Sequence, residues 1–424
     1  MILMSAFVLL VFLYSLVSRR LERTVITAPI LFTCAGVAIS LLPRAATELE
    51  LERHVLLLVA EIGLVMTLFT DASRVSPRML KGNRNLPTRL LSTGMLLSIV
   101  LGAAAAMFVL GPLTWWEAGI VAAILAPTDA GLGQVIVNSE RVPLRIRQAL
   151  NVEAGLNDGL SVPFLMFFIA LAVTAEGSAG TGAVLSRFLV EQLGYGTLIG
   201  VTAGLAGGGL LGLALRRQWM APASVPLGVV AVPLLCVLAS EASGASMFIA
   251  AFVAGLAAQV GFRGIGEHAI EFTEEWGQLF NYFVFFLFGL FVARDWAQFT
   301  PVVFLYAVLS LTVVRMAPVA LALRNLGLSR ATVWFMGWFG PRGLASIVLG
   351  LVYLEQQASL PGESTIRLAV MATVLVSIVA HGLSAVPGID LYGKKVASLD
   401  ASAPELAPMP EAVAGRDGRG SHAS

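Results

Sequence analysis

Thirteen stretches of mainly apolar residues, each near the length a helix needs to cross a bilayer, run through this chain of 424 residues. A helix rises about 1.5 Å per residue, so about 20 apolar residues span the hydrocarbon core. The stretches cover residues 2–18, 25–43, 54–72, 89–110, 117–137, 149–174, 193–215, 225–241, 245–262, 277–293, 300–323, 331–354 and 366–387. Charged residues make up 12% of the chain, against about 25% in an ordinary soluble domain, and 57% of it is hydrophobic. These features predict an all-α polytopic membrane protein. Met1 to Val17 is apolar from its start and runs into Arg19-Arg20, which argues against a cleaved signal peptide. Cys34 and Cys236 both lie in apolar runs and read as packing residues, neither a disulfide scaffold nor a metal site. Residues 1–393 form the transmembrane domain in this reading. Residues 394–424, rich in Ala, Pro, Gly and Ser, read as a disordered tail.

The basic residues give the orientation. Arg19, Arg20 and Arg23 follow the first segment, Arg74, Arg78, Lys81 and Arg84 the third, and Arg141, Arg145 and Arg147 the fifth. Counted through to Arg419, 20 of the 27 Lys and Arg fall on one side. The opposite loops hold Arg44, Arg53, Arg187, Arg294 and Arg367, while Arg315 and Arg342 lie inside spans. Basic loops stay in the cytoplasm, so the N-terminus is expected outside and the tail inside, in a cell membrane of bacterial inner or plasma type. A net charge of +1 gives no reason to expect a nucleic-acid partner. Membrane lipids are the surroundings this composition requires.

Segments five and twelve are interrupted. The fifth contains Ala126-Pro127-Thr128-Asp129 and the twelfth Gly340-Pro341-Arg342-Gly343. Each has a proline beside a small residue and then a charge. Proline removes a backbone donor and clashes with the preceding turn. At membrane depth such a break survives only where protein or a polar cavity satisfies the freed groups. The two breaks lie seven segments apart, as expected of two inverted six-helix repeats, whose binding sites form at paired discontinuous helices.

The sixth segment carries Asn151, Glu153, Asn157 and Asp158. A carboxylate near the bilayer centre costs about 2.5–3.5 kcal/mol on insertion scales, so it usually marks an ion or proton pathway. Gly155 and Gly159 would let this helix approach the broken helices closely, bringing Asp129 near Asp158. Glu153 is expected to pair with Arg342, a buried guanidinium that stays charged. Asp158 is then left to hold either a proton or a bare monovalent cation. Asp71 reads as an interfacial cap or an accessory group, and Arg315 as a structural or accessory cation. His381 reads as a packed, hydrogen-bonded histidine, and Glu241 as a group that reaches water.

Ala126-Pro127-Thr128-Asp129, then Asn151-Val-Glu153-Ala-Gly-Leu-Asn157-Asp158, then Gly340-Pro341-Arg342-Gly343 resemble the monovalent cation:proton antiporter superfamily. The Asn-Asp pair points to its sodium/proton exchanger branch, of the bacterial antiporter type. The resemblance covers essentially all thirteen segments. It implies a homodimer with a dimerisation scaffold and a mobile six-helix core that includes helices five, six, twelve and thirteen. It also implies elevator-like alternating access and electroneutral exchange. Carried over by motif, Asp158 binds the ion and the proton, and Asn157 is its hydrogen-bonding neighbour. Thr128 and Asp129 belong to the unwound crossing, with Asp129 joining Asp158 at the cation. Glu153 and Arg342 form the structural pair. Many relatives have Ser where this chain has Ala154, which leaves Na+, K+ and Li+ all open as substrates.

The expected function is therefore secondary antiport of a monovalent cation against H+, serving pH homeostasis, with no enzymatic activity and no cofactor beyond the transported ions. Transport of another small solute and passive cation conduction are the alternatives. An organic-anion carrier would need more buried cations than the two seen. A channel would not need a single titratable carboxylate. No Ser/His/Asp or HExxH constellation and no P-loop appears in the chain.

Overall fold

The computed structural model describes residues 2–21, 24, 26–42, 53–74, 85–176, 186, 188–261, 267–355, 360–400 and 402–407. Each of the thirteen apolar stretches coincides with a helix or a pair of helices, and no strand occurs among the described residues. They are α1 (Ile2–Leu21), α2 (Ala28–Ser40), α3 (Arg53–Arg74) and α4 (Asn85–Val109, with a π-turn at Leu90–Gly94). Helix five is split into α5a (Trp115–Ile124) and α5b (Ala130–Val137), followed by the unbroken α6 (Leu144–Glu176). Then come α7 (Gly196–Arg216, preceded by a π-helical Phe188–Tyr195), α8 (Val225–Ser243), α9 (Met247–Gly261) and α10 (Glu267–Arg294). The last are α11a (Pro301–Leu311), α11b (Val313–Ala322), α12a (Arg330–Trp338), α12b (Leu344–Glu355) and α13 (Glu363–Val396).

Eight spans, with α11a and α11b counted as one, are long and apolar enough to cross a membrane, while α2, α5a, α9 and α12b are apolar but shorter. Side chains such as Phe12, Phe108, Leu198 and Leu235 lie more than half exposed. In water, apolar surface on this scale would be a liability; against lipid tails it is the matching surface.

Helix ends follow local chemistry. Pro sits in the first turn of α2, α8 and α11a, where its missing N–H is no loss. Thr114 opens α5a with a capping box closed by Glu117. Gly244 ends α8 with φ +68°, the left-handed conformation that favours glycine. Along α7, Gly196, Gly200, Gly204, Gly208 and Gly212 recur every fourth residue and are buried, most of them against α9. A Cβ on Gly200 would stand 2.5 Å from the Ala250 carbonyl oxygen, so only glycine permits this approach.

The start of α4, the end of α5b, the start of α6, the end of α11b, α12a and the end of α13 share one apolar cluster that includes Leu86, Ile136, Ile146, Val319, Phe335 and Ile389. These are the helix ends that the distribution of basic residues assigns to a single side.

Four expectations are corrected. Helix eleven is not continuous: it breaks at Thr312, three residues before Arg315. Gly155 and Gly159 do not face the broken helices. Gly155 admits Asp71 of α3, and Gly159 the Phe252 ring of α9. Cys34 is exposed on its helix, although Cys236 is buried. The tail does not lose structure at 394. Helix α13 runs on to Val396, and Pro404–Leu406 form a short helical turn that buries Glu405. Residues 408–424 lie outside the described residues.

Candidate functional site

The two interrupted helices meet at their breaks. The Asp129 amide donates to the Pro341 carbonyl at 2.8 Å, joining the two extended segments. Two helix N-termini, those of α5b and α12b, converge on the same point. One carboxylate serves both: Asp129 Oδ1 accepts from the Gly131 and Leu132 amides at 2.7 and 3.1 Å, and Oδ2 accepts from the Leu344 amide at 2.6 Å. A negative group at two positive dipole ends is the favourable placement. Gly343 makes it sterically possible, because a Cβ there would lie 2.8 Å from the Asp129 carboxyl carbon.

The opposite charge serves the opposite end. Arg342 Nη1 donates to the carbonyls of Ala126 and Pro127, which are freed where α5a stops. Its amide donates to Ser377 Oγ at 2.6 Å. Ser377 Oγ lies 3.1 Å from His381 Nδ1, and His381 Nε2 lies 2.8 Å from the Trp338 carbonyl. With Nε2–H donating to Trp338 and Nδ1 accepting from the serine, His381 caps the last turn of α12a. It is buried, packed and hydrogen-bonded.

The expected Glu153–Arg342 pair does not form. Glu153 instead holds Arg315 in a two-point contact at 2.6 and 3.0 Å, with both side chains buried. Arg342 is occupied by the carbonyls of the α5 break. Arg315, placed just beyond the break in α11, reaches Glu153 across Gly340. A Cβ on Gly340 would come within 2.7 Å of the guanidinium carbon. Asn157 does not bond to its neighbour Asp158. Its Nδ2 donates to Thr128 Oγ1 at 2.8 Å and its Oδ1 accepts from the Thr128 amide at 3.2 Å, which ties α6 to the unwound part of helix five.

Among the described residues, six carboxylates are buried: Glu117, Asp129, Glu153, Asp158, Asp295 and Glu405. Glu117 accepts from the Thr114 amide and hydroxyl and from the Gly362 amide at the start of α13. Asp129 and Glu153 are committed as described. Asp295 pairs with Arg367 at 3.2 Å, and Glu405 accepts from the Ser329 amide and the Thr332 hydroxyl. Asp158 has no such engagement. It is 5% exposed, and its Oδ1 has no hydrogen-bond partner among the described residues.

Asp158 and Asp129 line one cavity of about 60 Å³, which also touches Thr67, Thr70 and Asp71 on α3 and Asn281 on α10. The space accepts an ion together with a few waters. Asp71, in the last turn of α3, thus borders the cavity. Ala154 borders a separate gap of about 20 Å³ beside Thr128 and Asp129. Glu241 is exposed at the end of α8. The sequence reading missed Thr70, Gln278 and Asn281. Polar side chains inside helix ten, and the i, i+3, i+4 spacing of Thr67, Thr70 and Asp71, were the available signals.

Known proteins share this architecture. Residues 6–389 match the family of transmembrane sodium/hydrogen exchangers. A 230-residue segment, 54% of the chain, is 30% identical to an uncharacterised Na+/H+ exchanger of Mycobacterium bovis, covering 39% of that protein. An alignment over 285 positions, covering 64% of the chain, is 25% identical to the K+/H+ antiporter NhaP2 of a Shewanella species (strain ANA-3), of which it covers 46%. The chain therefore matches less than half the length of these curated relatives. The sodium proton antiporter MjNhaP1 of Methanocaldococcus jannaschii, solved at pH 8, superposes with a TM-score of 0.73. That match covers 94% of this chain and 99% of the other at 18% identity, and it establishes the fold.

Proposed function

The chain belongs to the transmembrane sodium/hydrogen exchanger family, and on that premise we propose that it exchanges one monovalent cation for one proton at Asp158 by alternating access. The family and fold are those of cation:proton antiporters, transporters and not enzymes, whose ions are substrates and not cofactors. The observation that carries the proposal is that Asp158 is the one buried carboxylate among the described residues without a committed partner. A buried, uncompensated carboxylate is unfavourable as an anion, and either a proton or a cation relieves it. Both cannot occupy it together, so loading one expels the other. One such group carries one charge, which supports one-for-one, electroneutral exchange.

Asp129, Thr128 and Asn157 frame the site in this reading, with Asp129 placing a second carboxylate beside the cation. Glu153 with Arg315, and Arg342 on the α5 carbonyls, keep that frame rigid. The transported ion is Na+, K+ or Li+, with Na+ favoured. The arginine-rich loops support a cytoplasmic tail on a cell-membrane protein, and the resemblance supports a homodimer with an elevator-like core.

The test is fluorescence dequenching in everted vesicles. The parent should collapse an imposed proton gradient when Na+, K+ or Li+ is added, and Asp158→Asn should not. Full cation-dependent exchange by Asp158→Asn would sink the mechanism.

A further inference from the structure

We propose that the Thr70 hydroxyl is a ligand of the transported cation and sets the discrimination among Li+, Na+ and K+. The inference rests on the reading of Asp158 as the exchange site and concerns a second group on the cavity that Asp158 lines.

A monovalent cation that binds in this cavity of about 60 Å³ gives up part of its water and takes protein oxygens in exchange. Several oxygens near Asp158 are already engaged. Both Asp129 carboxylate oxygens accept backbone amides. Thr128 Oγ1 accepts from the Asn157 side chain. Ala154 brings no side-chain oxygen to the neighbouring gap. The Thr67 hydroxyl donates to the Gly63 carbonyl one turn back at 3.0 Å. That is the usual arrangement for a threonine within a helix, and Thr174 and Thr373 adopt it here as well.

Thr70 departs from it. Its side chain is 4% exposed, and its hydroxyl has no hydrogen-bond partner among the described residues. It borders the same cavity as Asp158, whose Oδ1 is also unpartnered. Thr70 on α3 and Asp158 on α6 line one cavity, and each carries a buried oxygen with no partner among the described residues, the pair of groups a two-sided site for a small cation requires. Gly155 brings the helices together there, since its ideal Cβ would lie 3.3 Å from the Asp71 side chain, next to Thr70 in sequence. A neutral hydroxyl on a packed helix adds an oxygen without changing the charge balance of exchange. It therefore acts on which cation binds and how tightly, while Asp158 keeps the coupling to the proton.

The experiment uses the full chain purified into proteoliposomes with an internal pH dye. Exchange is titrated with LiCl, NaCl and KCl for the parent, Thr70→Val, Thr70→Ser and Asp158→Asn. Thr70→Val keeps shape and loses the oxygen. It should retain the maximal rate but raise the half-saturating cation concentration by roughly fivefold to fiftyfold, the range expected for losing one buried polar contact. The rise should be larger for Li+ and Na+, which are harder to dehydrate, than for K+. Thr70→Ser should restore parental values. If Thr70→Val fails to elute as a folded species, Thr70→Ala replaces it and is compared with Thr70→Ser, since both lose the methyl group and only Ala loses the oxygen. Half-saturation within twofold of the parent for all three cations, with Asp158→Asn inactive, would overturn the role of Thr70 and leave Asp158 standing. Activity in Asp158→Asn would overturn the underlying reading instead.

Discussion

Asp158 and Glu153 sit five residues apart on α6 and have opposite fates. Glu153 is neutralised by Arg315 and fixed; Asp158 has no fixed partner. The sequence makes both acids visible because each interrupts an apolar run. It does not show which arginine Glu153 takes, since both Arg315 and Arg342 lie in spans and either could reach. The choice follows from the carbonyls freed at Ala126 and Pro127, and those appear only once α5a is seen to stop. Breaking a buried pair by removing one partner costs about 3–5 kcal/mol. Glu153→Gln should therefore lower the thermal midpoint of the purified protein sharply, and Arg315→Lys should not rescue the site, because an ammonium cannot make the two-point contact. A melting temperature within a degree of the parent for Glu153→Gln would contradict a structural role for this pair.

At the scale of elements, carboxylates act as joints between helix ends. Asp129 joins α5b to α12b, Glu117 joins α5a to α13, and Glu405 caps α12a. The proline-containing breaks were legible in the sequence, as was the matched spacing between them. The joints were not, apart from the local Thr114–Glu117 capping signature, because a carboxylate that caps a distant helix leaves no periodic mark. The break in α11 went unread because its apolar pattern continues across Thr312. Gly343→Ala should push the Asp129 carboxylate off the Leu344 amide, and exchange should fall while the protein still inserts and folds. Exchange at the parental rate would show that the joint is dispensable.

Glu405 gives a prediction with a defined pH sense. Burial works against its charge, but the Ser329 amide and the Thr332 hydroxyl outweigh it and hold the carboxyl below its ordinary range. The depressed value means the dock contributes stability above about pH 4.3, the unfolded glutamate value, and loses it as pH falls through the folded one. Hydrogen exchange in the first turn of α12a should therefore speed up in Glu405→Gln at pH 7. Parent and variant should converge in acid. Equal protection at pH 7 would show that the tail segment does not hold this helix.

The whole molecule was the most legible level. Apolar length gave the number of segments, and the alternation of basic loops grouped their ends. The cluster that gathers the ends of α4, α5b, α6, α11b, α12a and α13 agrees with that alternation. What the sequence could not show is which polar groups meet in space. Asp71, Thr70 and Asn281 come from α3 and α10, far from the motifs in helices five, six and twelve, yet they complete the cavity around Asp158. The central claim is that this one carboxylate trades a proton for a cation. Adding NaCl, LiCl or KCl to the purified protein in weak buffer and counting the protons released tests it directly. The parent should release one proton per cation bound and Asp158→Asn none. Release that persists in Asp158→Asn, or a parental ratio far from one, would contradict it.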